Sequence, residues 1–247
     1  MPDVAAFRAK MATLIPSTNT LVESDFWRMA IPGVTFHAGR MYIPEPSLDS
    51  DDAFRKLLAS VDTALEIALR DVMTCEPDYL AMGMSAPTFW GGAQGSYRFT
   101  ERMRAQTGLG LSTGSDSCAA ALNAYGAHKI AVLTPYQPVM REQIVRYFED
   151  VGFNVVRYTD LLCPSATAIA QVGEERLRRE LLALDGPDVE AIVQCGTNLS
   201  MVRLAQEAEG WLGKPVIAIN AAILWHAYRA SGFNDKLYGF GSLLSDY

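Results

Sequence analysis

Cys195 stands in the run Ala191-Ile192-Val193-Gln194-Cys195-Gly196-Thr197-Asn198-Leu199-Ser200. A short apolar stretch of strand character ends at the cysteine, and a Gly-Thr-Asn turn separates it from the next helical segment. Backbone N–H groups at such a turn and helix start can bind an anion. The same positive end lowers a thiol pKa toward the range useful for proton transfer. The pattern therefore supports acid/base chemistry on a small anion. The plainer alternative is a buried, inert thiol filling an apolar site.

Other candidates sit at equivalent places along the chain. Ser17-Thr18-Asn19-Thr20 follows Pro16. Ser17 and Asn19 suit a carboxylate, although such residues also serve as plain helix caps. In Met84-Ser85-Ala86-Pro87-Thr88, Ser85 is the polar group and Met84 a wall. Tyr136 follows Pro135, with its hydroxyl either in a cleft or packed. Gly196 and Thr197 complete the set beside Cys195. Among the other cysteines, Cys75 and Cys118 read as structural and Cys163 as a loop residue. His37, His128 and His226 show no triad or metal spacing. Neither Gly91-Gly92-Ala93-Gln94-Gly95 nor Gly108-Leu109-Gly110 is a nucleotide fingerprint, and no P-loop is present. The expected site works with side chains alone, without cofactor or metal.

The elements that must position these residues alternate. Strands are expected at 11–15, 78–82, 129–133, 153–158, 190–194 and 215–219. Helices are expected at 50–74, 117–126, 139–151, 174–184, 201–212 and 222–231, with Phe54, Leu57, Leu58, Val61, Leu65 and Ala68 forming one face of the first. Alternation at this spacing predicts an α/β protein with mostly parallel sheets flanked by helices. The chain also repeats itself: residues 11–17 parallel 130–136, and residues 77–85 parallel 187–195, which sets Ser85 opposite Cys195. Two pseudo-symmetric Rossmann-like halves follow. Residues 1–117 with 221–247 form the first, and residues 118–220 form the second, which carries Cys195. Ligands of open α/β sheets sit beyond the carboxyl ends of strands, so the expected site is the cleft between halves.

Composition sets outer bounds. The 247 residues are 49% hydrophobic and 20% charged with a net charge of -7, which argues against nucleic acid or an anionic membrane as partner. No apolar run reaches the length of a membrane span. The beginning of the chain lacks the pattern of a signal peptide. Four cysteines without CxxC spacing suggest reduced thiols and a cytoplasmic location. A homo-oligomer is compatible with all of this.

With these residues laid out, the chain resembles the Asp/Glu racemase superfamily, specifically its maleate cis-trans isomerase and arylmalonate decarboxylase branch. The resemblance spans nearly the whole chain. It rests on Ile15-Pro16-Ser17-Thr18-Asn19-Thr20, Phe36-His37-Ala38-Gly39-Arg40-Met41, Pro135-Tyr136, Cys195-Gly196-Thr197-Asn198-Leu199, Gly213-Lys214-Pro215-Val216 and Gly241-Ser242-Leu243-Leu244-Ser245. It implies two pseudo-symmetric domains, an interdomain site, no cofactor and a small mono- or dicarboxylate substrate handled through a carbanion or enediolate. Racemases and maleate isomerases of the family carry one cysteine per half, whereas here the first-half position is expected at Met84 or Ser85. Decarboxylase-like members keep only the second cysteine, and Ser85-Ala86-Pro87-Thr88-Phe89-Trp90-Gly91-Gly92 fits their first loop. The resemblance thus implies decarboxylation with Cys195 as proton donor and Ser85 beside it. Pro16-Ser17-Thr18-Asn19 looks more isomerase-like. The alternatives are an isomerase or amino-acid/hydantoin racemase, and a non-catalytic carboxylate-binding protein.

Overall fold

The computed structural model describes residues 3–44, 48 and 50–247. The first sheet is built from β1 (Ala9–Pro16), β2 (Val34–Met41), β3 (Tyr79–Met82) and β4 (Gly110–Ser112), interleaved with α1 (Val22–Arg28), α2 (Asp51–Met73), α3 (Ala86–Phe89) and α4 (Gly92–Thr107). After α5 (Gly114–Tyr125) comes the second sheet, of β5 (Lys129–Thr134), β6 (Asn154–Asp160), β7 (Ala191–Gln194) and β8 (Val216–Ala218). Its connections are α6 (Pro138–Asp150), α7 (Ala166–Ala170), α8 (Glu174–Leu184) and α9 (Val202–Leu212), and the chain closes with α10 (Ile219–Ala230) and α11 (Ser242–Asp246).

The strand orders are β2-β1-β3-β4 and β6-β5-β7-β8, the same order used twice. Every pair is parallel. Parallel neighbours need crossover helices, which is why strands and helices alternate. β1, β3, β5 and β7 are apolar and buried nearly throughout, as strands covered on both faces must be. The α/β class and the paired parallel sheets are as expected, and each expected strand and helix forms within a few residues of its place.

Local chemistry sets the ends. Ser50 caps α2 by accepting from the N–H of Ala53 at 3.2 Å, and Asp51 and Asp52 follow in its first turn, where negative charge is favoured. Gly126 and Gly213 end α5 and α9 in left-handed conformation. The short elements β2, β4, α1, α3, α7 and α11 escaped the periodicity, as did α4. Its first turn holds Gly92 and Gly95, each costing about 1 kcal/mol relative to alanine in a helix. Packing against α6 offsets that cost: Gln143 accepts from the N–H of Gly91 at 2.9 Å and Asp150 from Ala93 at 3.0 Å.

α10 follows the second sheet yet packs on β3, β4, α1 and α5. The halves are pinned directly as well, through Leu48 N–H to Pro164 O at 2.7 Å and Val139 N–H to the Asp51 carboxylate at 3.0 Å. Among the described residues no helix is long and apolar enough to cross a membrane.

β2 and α2 touch at Gly39, where a Cβ would lie 2.7 Å from the Ala68 carbonyl oxygen and 3.1 Å from Val72 Cβ. Gly39→Ala is expected to lower stability by about 1–3 kcal/mol in urea unfolding, the usual cost of overpacking. Gly210→Ala in α9, where a Cβ meets nothing within 4 Å, should instead raise it by up to about 1 kcal/mol.

Candidate active site

Matching hydrogen bonds establish which residues of the two halves correspond. The N–H of Asp78 donates to Lys10 O and that of Glu190 to Lys129 O, both at 2.8 Å. The carboxylates return the favour, Asp78 accepting from Lys10 N–H at 2.8 Å and Glu190 from Lys129 N–H at 2.9 Å. At the other strand ends, Gly83 N–H donates to Leu14 O at 2.8 Å and Cys195 N–H to Leu133 O at 2.9 Å. Gly83 is therefore the first-half counterpart of Cys195. This corrects the expectation of Met84 or Ser85. The likeness of Pro77-Asp78 to Pro187-Asp188 sets the repeat two residues out of step, because ladder hydrogen bonds rather than matching letters define register. A side chain at Gly83 has no room: its Cβ would lie 2.9 Å from Leu14 O and 3.0 Å from Ile15 Cγ1.

Between the strand ends lies a cavity of about 50 Å³. Thr18, Asn19 and Met84 reach it from the first half, and Tyr136, Gly196, Thr197 and Asn198 from the second. The remaining wall is apolar, chiefly Ile43, Leu48, Phe54, Leu57 and Ile169. No lysine, arginine or histidine lines it among the described residues. Nor does any group of three or more His, Cys, Asp or Glu among them fit a metal ion.

Of the expected site residues, Asn19, Met84, Tyr136, Gly196 and Thr197 line the cavity. Ser17 does not. Its hydroxyl accepts from Ile43 N–H at 2.9 Å, holding the end of β2, and Thr18 takes its place. Ser85 is fully buried behind Tyr136, the two hydroxyls 2.6 Å apart. Phe54 packs edge-on against the Tyr136 ring at 5.5 Å. Burial pushes the Tyr136 hydroxyl well up from its ordinary value, so it is a neutral donor.

Polar loops from both halves interlock at the cavity floor. Thr197 Oγ1 donates to Gly83 O at 2.9 Å and accepts from Asn19 Nδ2 at 3.3 Å. Asn19 Oδ1 accepts from the N–H groups of Leu21 and Val22, opening α1. Asn198 accepts from Thr20 N–H at 3.0 Å and donates to Ala166 O at 2.9 Å. Gly196 is compelled by crowding: its Cβ would sit 2.5 Å from the Pro135 ring. The N–H groups of Thr18, Gly196, Thr197 and Asn198 have no acceptor among the described residues. Four free donors around one small space suit an anion.

Cys195 is fully buried and lies one residue behind the cavity wall. Its thiol is pushed well above its ordinary value, first by burial and then by a hydrogen bond with Cys118 of α5. This reverses the expected lowering. α9 begins only at Val202, too far along the chain for its positive end to act on the sulfur, since that field fades within a turn. Cys118, read as plain core, is thus a neighbour that holds the Cys195 thiol neutral; nothing in its alanine-rich surroundings signals that. Cys75 donates to Val72 O, a structural role.

A family model described as arylmalonate decarboxylase matches residues 47–244. The chain belongs to that family. The chain is also similar to maleate isomerases: it is 23% identical to that of Nocardia farcinica over 245 residues, covering 95% of each. With the Pseudomonas putida maleate isomerase it shares 25% over 253 residues, covering 96% of this chain and 97% of the other. In structure it is similar to a Nocardia farcinica maleate cis-trans isomerase variant holding a covalently bound succinylcysteine intermediate, with a TM-score of 0.87 at 22% identity, covering 96% and 98% of the chains. It is also similar to a liganded arylmalonate decarboxylase variant in which a glycine is replaced by cysteine and a cysteine by serine, with a TM-score of 0.81 at 20% identity, covering 96% and 99%. This likeness extends the family's fold to 96% of the chain.

The raised thiol makes one measurement decisive. The unfolded thiol ionises near 9.0 and the folded one higher, so its contribution to stability is complete below that pH and declines only as pH rises beyond it. Thiolate ultraviolet absorption of the native protein and of Cys195→Ser should coincide up to pH 9. An extra ionisation in the native protein near neutrality would contradict the buried, hydrogen-bonded thiol.

Proposed function

We propose that the chain is a cofactor-independent enzyme that decarboxylates a small malonate-type acid through an enediolate, with Cys195 as proton donor. The observation that carries this is that the place at the end of β3 that corresponds to Cys195 is held by Gly83, so the first half offers no thiol there. A racemase needs an acid/base on each face of the substrate carbon. A decarboxylase needs only one, and a single donor delivers a single stereochemical outcome.

In this scheme one carboxylate accepts from the free N–H groups of Thr18, Gly196, Thr197 and Asn198 and from the Tyr136 hydroxyl, which Ser85 orients. The other lies against Met84, Leu48 and Phe54, where a charge is poorly solvated. Its bond to the central carbon breaks, CO2 departs, and the electron pair passes into the retained carboxylate as an enediolate. Fixed donors already aimed at those oxygens stabilise the developing charge. The Cys195 thiol then gives its proton to the carbon, and the thiolate regains one from water. A thiol held protonated by burial suits this role. Cys195 sits behind Gly196, so substrate entry must open the wall by a small shift.

The relatives' names favour a second reading, isomerisation of maleate. It requires a thiolate that adds to the double bond so that rotation becomes free. In the Nocardia farcinica variant the succinylcysteine forms although one cysteine has been replaced by serine, so another cysteine bears it. In this chain the place that corresponds to Cys195 is held by Gly83, and the burden of attack would fall on a protonated Cys195.

Proton NMR in D2O separates the two. Methyl- and arylmalonates are expected to lose one carboxylate and gain one deuterium stereospecifically, with the rate falling about 10²–10⁴-fold in Cys195→Ala, the usual worth of a positioned acid. Conversion of maleate to fumarate would replace this proposal with the second. Unaltered turnover in Cys195→Ala would remove Cys195 from the chemistry.

A further inference from the structure

An anion-binding cavity without a cation depends on where its peptide N–H groups point. In a planar trans peptide, the N–H of one residue points opposite to the C=O of the residue before it. Holding a carbonyl from behind therefore aims the next N–H forward. The carbonyl of Gly196 is held twice from behind, by Gln194 Nε2 at 2.7 Å and by Leu199 N–H at 3.0 Å. Its peptide partner is the free N–H of Thr197. The carbonyl of Thr197 is held by Asn220 Nδ2 at 3.0 Å, and its partner is the free N–H of Asn198. In the first half, the Arg40 guanidinium holds the Ser17 carbonyl at 3.0 Å, and the partner there is the free N–H of Thr18.

We propose that Gln194, Asn220 and Asp25 are positioning residues that turn the 196–199 peptides so that Thr197 and Asn198 present their N–H groups to a substrate carboxylate. This rests on the anion-binding reading of the cavity. An amide can do this only in one of its two flip states, and each amide is locked. Asp25 Oδ2 accepts from Asn220 Nδ2 at 2.8 Å. A backbone carbonyl accepts and never donates, so the nitrogen of Asn220 must face the Thr197 carbonyl, and Asp25 takes its second N–H. Gln194 Oε1 accepts from the N–H of Ile219 at 3.4 Å, which directs its nitrogen to Gly196. All three are 1–3% exposed.

Packing does not explain them. The register places Met82 where the other half has Gln194, so the fold accepts an apolar residue at that strand end. Two amides and a carboxylate are costly to bury, and here they converge on the one turn that follows Cys195. Asn220 Oδ1 even has no partner among the described residues, so the amide is placed for its donors.

The test uses calorimetric titration with malonate, thermal melting and steady-state kinetics on the full chain. Gln194→Met and Asn220→Leu keep shape and remove the donors. Each is expected to weaken malonate about tenfold or more, as loss of a hydrogen bond to a charged group does, and to raise KM more than it lowers kcat. Asp25→Leu should behave like Asn220→Leu, and Asp25→Asn, which retains an acceptor oxygen, should restore most of the affinity. A merely structural role would lower the melting temperature without this pattern. Folded variants that bind malonate within twofold of the native chain would overturn the proposal. If Asn220→Leu does not fold, Gln194→Met and the Asp25 pair decide it. Absence of malonate binding by the native chain would overturn the anion-binding reading itself, and this inference with it.

Discussion

The hydroxyl of Thr197 is bonded at once to the Gly83 carbonyl and to the Asn19 amide. Each half of the molecule ends its central strands in a polar loop, and this buried contact sets the distance between those loops. Leaving either partner unsatisfied would cost about 1–3 kcal/mol, a large share of the stability of an ordinary domain. The cavity is the space left over once that joint is closed. Its floor is polar because the loops have N–H groups to spare, and its roof is apolar because α2 and the segment before it lay Ile43, Leu48, Phe54 and Leu57 across it.

A site of this kind binds charge without opposing it by charge. An arginine in the wall would hold a dicarboxylate firmly in its ground state. Neutral donors in a dry pocket interact strongly because little water screens them, and they need no reorganisation when charge moves from a carboxylate to an enediolate. The proposed division of labour follows from that contrast: hydrogen-bonded carboxylate on one side, poorly solvated carboxylate on the other.

The thiol fits the same economy of charge. Cys195 is shielded from water and has the Cys118 thiol as a neighbour, and both effects favour the neutral form. A cysteine at a helix start would hold a thiolate ready for attack, but here the turn stands between the sulfur and α9.

Much of this was legible in the residues. Alternating apolar runs and amphipathic stretches, β-branched residues in the buried strands and glycine or serine at helix ends determined the α/β class and the repeated halves, since local propensity and period act within a few residues. The motif around Cys195, the Pro135-Tyr136 pair and the polar turn after Pro16 marked strand ends where sites form. Register was another matter. Pro77-Asp78 and Pro187-Asp188 look alike, yet Asp78 corresponds to Glu190, and only the ladder hydrogen bonds reveal that Gly83 is the counterpart of Cys195. Ser17 and Thr18 are equally polar in sequence; the end of β2 claims the Ser17 hydroxyl and leaves Thr18 to the cavity. Cys118 near Cys195, and Asp25 with Asn220 behind the turn, join residues far apart in the chain. Tertiary structure decided those pairings because burial, shared hydrogen bonds and the direction of a peptide plane arise only when distant segments meet.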